Sequence, residues 1–142
     1  MGKRLVRTLP VVGLLVVGLA GPAAAAVVNG TDGPDVLVGT SKADTIRGYG
    51  GGDKIYAKAG ADHVYTGKDR QRDRVFAGPG ADRIHAWTGD YVHAGSGNDV
   101  IRVRSVKVMA TTTIWCGPGY DRVVGLSSVT FYKGTHGCEV VD

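Results

Sequence analysis

An aspartate followed two positions later by an aliphatic residue recurs along most of this chain. Asp35, Asp44, Asp53 and Asp62 are spaced nine residues apart, and the series continues with small changes of spacing through Asp73, Asp82, Asp90 and Asp99 before returning at Asp121. The aliphatic positions are Leu37, Ile46, Ile55, Val64, Val75, Ile84, Val92, Ile101 and Val123. A period of nine is too short for a pair of helices and fits one turn plus one short strand.

Glycine stands two positions before the aspartate in six of the nine repeats, at Gly33, Gly51, Gly60, Gly80, Gly97 and Gly119. Glycine allows the positive φ of a tight turn, and the residues after the aspartate then form a short strand whose middle side chain points inward. Because such a strand cannot bury a core alone, successive strands must stack about 4.8 Å apart into a coil. Two repeats complete one coil, so the pattern predicts an all-β solenoid.

Stacking every second repeat gives two columns of turns. The first column contains Asp35, Asp53, Asp73 and Asp90, and the second column contains Asp44, Asp62, Asp82 and Asp99. The outward residues at the strand ends stack in the same way, as Val38, Tyr56, Phe76 and His93 on one face and as Arg47, Tyr65, His85 and Arg102 on the other. Rings beside basic residues suit an acidic polysaccharide. The alternative, which we favour, is that these side chains only stabilise neighbouring strands.

Composition narrows the range of functions. A chain of 142 residues with 23 glycines and 7% aromatic residues fits one small, turn-rich domain and excludes a multidomain enzyme. All but one of the 13 acids are aspartates, which favour turns and bind hard cations. The net charge of +4 owes much to Lys3, Arg4 and Arg7, so it does not indicate a nucleic-acid partner.

The first 26 residues have the pattern of an export signal. Lys3, Arg4 and Arg7 precede the apolar run 11–19, and four alanines at 23–26 supply small residues for cleavage near Val27. A retained membrane anchor is the alternative, although prolines and glycines interrupt the apolar run. Export makes the chain a secreted, extracellular protein, and in that oxidising environment Cys116 and Cys138 are expected to form a disulfide. We therefore expect a signal peptide at 1–26, a solenoid at 27–109 and a disulfide-stapled β cap at 110–142.

Two segments carry a resemblance to a known family. Gly78-Pro79-Gly80-Ala81-Asp82-Arg83-Ile84 and Gly95-Ser96-Gly97-Asn98-Asp99-Val100-Ile101 resemble the haemolysin-type (RTX) calcium-binding nonapeptide, and the likeness covers most of 30–103. The resemblance implies a right-handed parallel β-roll. It also implies that Ca²⁺ is bound between stacked turns by aspartate carboxylates and turn carbonyls, which are the hard oxygen ligands that calcium prefers.

The ligand set that this resemblance implies follows the two columns. The predicted carboxylate ligands are Asp35, Asp44, Asp53, Asp62, Asp82 and Asp99, with the turn carbonyls of Gly33, Gly51, Gly60, Gly80 and Gly97. The strongest sites are expected at Asp62, Asp82 and Asp99 and then between Asp35 and Asp53, because Lys42, Gln71 and Thr88 replace the motif's glycine in other turns. Asp73, Asp90 and Asp121 are interpreted as structural, neutralised by a neighbouring base or capping their own turn.

The sequence thus predicts an exported, non-enzymatic, calcium-binding repeat protein in which calcium folds and stabilises the solenoid. The partners expected are calcium ions, with no nucleic acid and no stable membrane span. The alternative function is a calcium-independent structural or adhesive solenoid that binds an acidic polysaccharide or a cell surface. Catalysis has little support, because the aspartates recur regularly as ligands do, whereas catalytic pairs are unique.

Overall fold

The regular structure of this chain is built from strands. The computed structural model describes residues 15–17, 24–104, 112–125 and 132–141, and no helix occurs in these ranges. The strands are β1 (Leu15–Val17), β2 (Val27–Asn29), β3 (Val36–Val38), β4 (Thr45–Arg47), β5 (Lys54–Tyr56), β6 (His63–Tyr65), β7 (Arg74–Pro79), β8 (Arg83–Trp87), β9 (Tyr91–Ser96), β10 (Val100–Arg104), β11 (Thr112–Trp115), β12 (Asp121–Val124), β13 (Tyr132–His136) and β14 (Cys138–Val141).

The chain alternates between two parallel sheets. The odd-numbered strands form one seven-stranded sheet in chain order, and the even-numbered strands form the other. Each repeat crosses from one sheet to the other through a short turn, so two strands complete one coil. This architecture is a parallel β-solenoid, and it confirms the fold class predicted from the nine-residue period.

Strand register keeps the two aspartate columns aligned. In the first sheet Lys54 pairs with Arg74, and in the second His63 pairs with Arg83, so each column continues across the irregular repeat spacing. The extra residues lie in the turn before β7, because a shift inside a strand would turn its buried face outward. Val100 pairs with Arg122, which places Asp121 in the second column directly after Asp99.

The core is a thin double row of aliphatic side chains. The middle residue of each short strand points inward, and Leu37, Ile46, Ile55 and Ile84 have no exposed surface. A second inward row consists mostly of alanines, including Ala57, Ala77, Ala86 and Ala94. Since alanine and valine bury little apolar area, hydrophobic burial alone gives this fold a modest stabilisation.

The C-terminal segment continues both sheets where it is described. Strand β11 pairs with β9, and β12 pairs with β10 and β14. The single long strand predicted over 100–108 reaches Arg104, and its remainder lies outside the described residues. At the other end β1, inside the predicted signal peptide, pairs with β3. The boundaries predicted after residues 26 and 109 stay predictions.

The predicted disulfide is present. Cys116 and Cys138 are bonded with their Cα atoms 5.5 Å apart, and Cys116 is fully buried directly after β11. Cys138 pairs in register with Asp121, so it occupies the next position of the second column. A disulfide-bonded cysteine therefore follows the last aspartate of the second column.

Candidate metal centre

The column aspartates are linked from turn to turn by hydrogen bonds. The backbone N–H of Asp62 donates to Oδ1 of Asp82 at 2.7 Å, and the N–H of Asp82 donates to Oδ1 of Asp99 at 2.9 Å. Asp99 continues the second column by donating to Oδ1 of Asp121 at 2.8 Å. The first column has the same bonds, from Asp35 to Asp53, from Asp53 to Asp73 and from Asp73 to Asp90. One carboxylate oxygen of each later aspartate is thereby occupied.

The second carboxylate oxygen divides eight of the nine column aspartates, all except Asp73, into two groups. Among the described residues, the Oδ2 atom is buried without a hydrogen-bond partner at Asp53, Asp62, Asp82, Asp99 and Asp121. A buried charged acceptor without a partner costs about 1–3 kcal/mol or more. Five such atoms together represent a cost comparable with the whole stability of a small domain, which is roughly 5–15 kcal/mol.

Three aspartates satisfy the corresponding oxygen within the protein. Oδ2 of Asp35 accepts both the backbone N–H and the hydroxyl of Thr31, at 2.6 and 2.9 Å. Oδ2 of Asp44 accepts the backbone N–H of Thr40 at 2.5 Å, and the Thr40 hydroxyl donates to Oδ1 at 3.0 Å.

Asp90 is the third aspartate of this capped group. Its Oδ2 accepts the Thr66 hydroxyl and the Trp87 N–H, each at 2.8 Å. These three carboxylates have hydrogen-bond partners where a cation would otherwise be needed.

Burial makes the remaining carboxylates difficult to ionise in the absence of a cation. Burial, followed by the charges of Asp90 and Asp53, raises the pKa of Asp73 to about 8, against an opposing hydrogen bond from Asp53. Burial, followed by the charges of Asp99 and Asp62, raises the pKa of Asp82 to about 7. Stacked carboxylates therefore disfavour one another's charge, and a bound cation would remove this penalty.

The turn backbone supplies carbonyl oxygens beside these carboxylates. Gly80 and Gly97 adopt φ of 151° and 134°. A Cβ at Gly80 would collide with the carbonyl oxygen of Gly60, and a Cβ at Gly97 with that of Gly80. The carbonyls of Gly60 and Gly80 thus point toward the next turn, in the same column as Asp62 and Asp82. Glycine is required there both for its φ and for this close approach.

This donor set fits a hard divalent cation and not a transition metal. Within the described ranges, no group of three or more His, Cys, Asp or Glu side chains could hold a metal ion by itself. An ion between turns would need the unpartnered Oδ2 atoms together with backbone carbonyls, which are all-oxygen ligands of the kind that calcium accepts.

Comparison with known families decides what this repeat is. A family model of the RTX calcium-binding nonapeptide repeat matches residues 29–67 and 69–101, in four copies. The chain belongs to this family. The RTX nonapeptide repeat binds Ca²⁺, which agrees with the cofactor predicted from the sequence. No curated protein and no solved structure matches the chain.

The RTX ligand set predicted from the sequence stays a prediction, and the geometry orders its members. Asp53, Asp62, Asp82 and Asp99 have unpartnered oxygens, whereas Asp35 and Asp44 are capped by threonine. The carbonyls of Gly60, Gly80 and Gly97 face the next turn. A Cβ at Gly119 would collide with the carbonyl oxygen of Gly97, and a Cβ at Gly51 would collide with that of Gly33. Among the described residues, no contact of the Gly51 carbonyl supports or opposes its predicted role as a calcium ligand.

Sequence reasoning missed two features of the RTX turns. The sequence pattern favours a structural role for Asp121, yet its Oδ2 is buried without a partner, and its place in the second column follows from the strand register. Asp69, in the longer turn before β7, was not singled out. It accepts the Gly51 N–H at 2.7 Å and raises the pKa of Asp53 and Asp73 through its charge.

Proposed function

We propose that this chain is exported and that calcium ions bound between successive turns fold and stabilise its solenoid. The observation that carries the proposal is the set of buried, unpartnered Oδ2 atoms in the two columns. A carboxylate is not left in that state without a compensating cation or proton, and the family supplies the identity of the cation.

The second column is proposed as the principal calcium column. Its Asp62, Asp82, Asp99 and Asp121 are consecutive, and each has an unpartnered oxygen. The first column offers Asp53, beside Asp69 and Asp73. When calcium is bound it neutralises adjacent carboxylates and joins one turn to the next.

The proposed role is structural and not catalytic, in a secreted protein. The leader with its alanine-rich end supports export, and the disulfide agrees with an oxidising compartment. In the described residues, no helix has the length and apolar character needed to cross a membrane.

Circular dichroism of the purified chain during a calcium titration tests this proposal. After treatment with a chelator, added Ca²⁺ should raise the strand signal and the melting temperature cooperatively. Mg²⁺ at the same concentration should have a much smaller effect, because it demands octahedral geometry and loses its water reluctantly. If the spectrum and the melting temperature are the same in chelator and in calcium, the solenoid is calcium-independent and the alternative structural function replaces the proposal.

A further inference from the structure

The outer face of the second sheet has a concentration of positive charge. Its exposed cationic side chains come from β8, β10 and β12 and from the turn after β6, and together they define the basic face: Lys68, Arg83, Arg102, Arg104 and Arg122. Among the described outward positions of the even-numbered strands, the single acid is Glu139 in β14. Nine of the chain's 13 acids are the column aspartates, which are buried in the turns.

Two hollows lie on the basic face, and its charges perturb a residue between them. One hollow of about 270 Å³ is lined by Arg83, His85, Val100, Arg102 and Arg122. A second hollow of about 300 Å³ is lined by Tyr65, Gly67, Lys68, His85, Trp87 and Arg104. His85 lines both hollows, so they adjoin. Burial, followed by the charges of Arg102 and Arg104, lowers the pKa of His85.

The aromatic rings that line the hollows of this face already have partners, and Lys68 Nζ lies 6.0 Å from the centroid of Trp87. Tyr65 lies 4.8 Å from His85, centroid to centroid, and the guanidinium of Arg47 lies 5.6 Å from the Tyr65 centroid on the same face of the solenoid. These contacts favour the interpretation in which the rings stabilise neighbouring strands. Single-stranded nucleic acid is recognised largely by bases stacking on aromatic side chains, and the stacked Tyr65 and His85 do not offer that platform.

Exposed apolar side chains of the described residues are dispersed and do not form one anchoring patch on this face. Tyr56 and Trp115 belong to β5 and β11 of the opposite sheet, Val27 lies in β2, and Tyr49 and Tyr120 lie in turns. A membrane surface is usually held by basic residues together with inserted apolar side chains, and it is flat on the scale of these hollows. A slender polymer with regularly repeated anionic groups fits adjoining, cation-lined hollows better.

We propose that the basic face binds a linear acidic polysaccharide through ionic contacts from Arg83, Arg102, Arg104, Arg122 and Lys68. Strands β8 and β12 flank β10, so Arg83 and Arg122 lie two strand spacings apart, about 10 Å. Arg102 lies on the strand between them. Carboxylates that recur at regular intervals along an extended polysaccharide chain would meet these side chains in turn. This surface is separate from the two aspartate columns. The proposal therefore does not require that calcium occupies those columns.

Binding of hyaluronan oligosaccharide to the purified, calcium-treated chain tests the proposal. The oligosaccharide should bind with an affinity that falls as salt is raised. The triple variant Arg102→Gln, Arg104→Gln, Arg122→Gln should bind about tenfold more weakly, since each exposed ionic contact contributes modestly. The control Lys42→Gln, Lys54→Gln, Arg74→Gln removes the same charge away from the basic face and should bind like the unaltered chain.

Three results would overturn the proposal. They are no binding by the unaltered chain, equal weakening by the two triple variants, and tighter binding to DNA or to anionic phosphatidylserine vesicles than to the oligosaccharide. The calcium-dependent rise in melting temperature, measured on both triple variants, verifies folding. It also separates a failure of this surface from a failure of calcium binding.

Discussion

Replacing Asp82 with asparagine should weaken calcium binding without weakening the calcium-free fold. Asparagine keeps the shape of the side chain and an oxygen that can accept the Asp62 N–H, which lies 2.7 Å from Oδ1. The change removes the negative charge and replaces the unpartnered Oδ2 with an amide nitrogen, which repels a cation. The substitution therefore acts on the one atom for which the protein supplies no partner.

The magnitude follows from the role of this oxygen. Calcium affinity depends strongly on how many charged ligands a site provides, so losing one should cost about 2 kcal/mol, or roughly thirtyfold in Kd. Without calcium the sign reverses. Burial raises the pKa of Asp82 to about 7, so the charged form is disfavoured near neutral pH, and a neutral asparagine should leave the calcium-free stability unchanged or raised.

Asp44→Asn is the matched control in the same column. Both oxygens of Asp44 are acceptors for Thr40, whose N–H lies 2.5 Å from Oδ2 and whose hydroxyl lies 3.0 Å from Oδ1. The amide nitrogen of asparagine cannot accept a hydrogen bond, so at either position it would lose one of the two hydrogen bonds from Thr40. This loss should cost about 1–3 kcal/mol with or without calcium. The two substitutions are chemically identical, yet they should differ in calcium dependence.

Calorimetric calcium titration and thermal melts in calcium and in chelator measure this difference. Asp82→Asn should show weaker calcium binding and a reduced calcium-dependent rise in melting temperature. Asp44→Asn should lower the melting temperature equally in both conditions. If both variants lose calcium affinity to the same extent, threonine capping does not distinguish the two sites and our ordering of the column is wrong.

Three further predictions address strain, pH and the disulfide. Lys58 has φ of 80° where the repeat motif has glycine, so Lys58→Gly should stabilise the calcium-bound fold by up to about 1 kcal/mol in melts, and a lower melting temperature would contradict this. The raised pKa of Asp73 and Asp82 means that the calcium-free fold gains stability as these groups are protonated; melts in chelator should improve from about pH 8 to about pH 5, and no change over that interval would refute the expectation. The double change Cys116→Ser, Cys138→Ser opens a bridge of sequence separation 22 and should cost about 3 kcal/mol, with the segment after residue 110 becoming protease-sensitive while the repeats stay protected; unchanged proteolysis would contradict it.

The sequence was sufficient to predict most of the fold because its period has one geometric solution. The aliphatic residue two positions after the aspartate, such as Ile84, points inward in every repeat. Parallel stacking then fixes which repeats are neighbours. The irregular spacings around Asp73 and Asp90 did not break the prediction, because the turns absorb them and the strands keep their register.

The state of each carboxylate could not be predicted in the same way. Asp44 and Asp82 occupy the same position of the repeat, and only the hydrogen bonds of Thr40 distinguish them. The sequence does contain a signal: threonine stands four residues before Asp35 and Asp44, where Asp82 and Asp99 have Gly78 and Gly95. Interpreting that threonine as a cap requires knowing that its hydroxyl and N–H reach back to the carboxylate.

Apart from Asp90, which Thr66 and Trp87 cap in the first column, the capped and bonded residues lie in the first and last turns of the columns. An ion that joins turns needs a neighbouring turn to supply the rest of its ligands, and the end of a solenoid has a neighbour on one side only. In the first turn of each column, Thr31 and Thr40 supply hydrogen bonds to Asp35 and Asp44. At the other end, Cys138 stands in register after Asp121 and is bonded to Cys116. Calcium dependence should therefore be concentrated in the turns of Asp62, Asp82 and Asp99, and hydrogen exchange in chelator should rise there before it rises in the turns of Asp35 and Asp44.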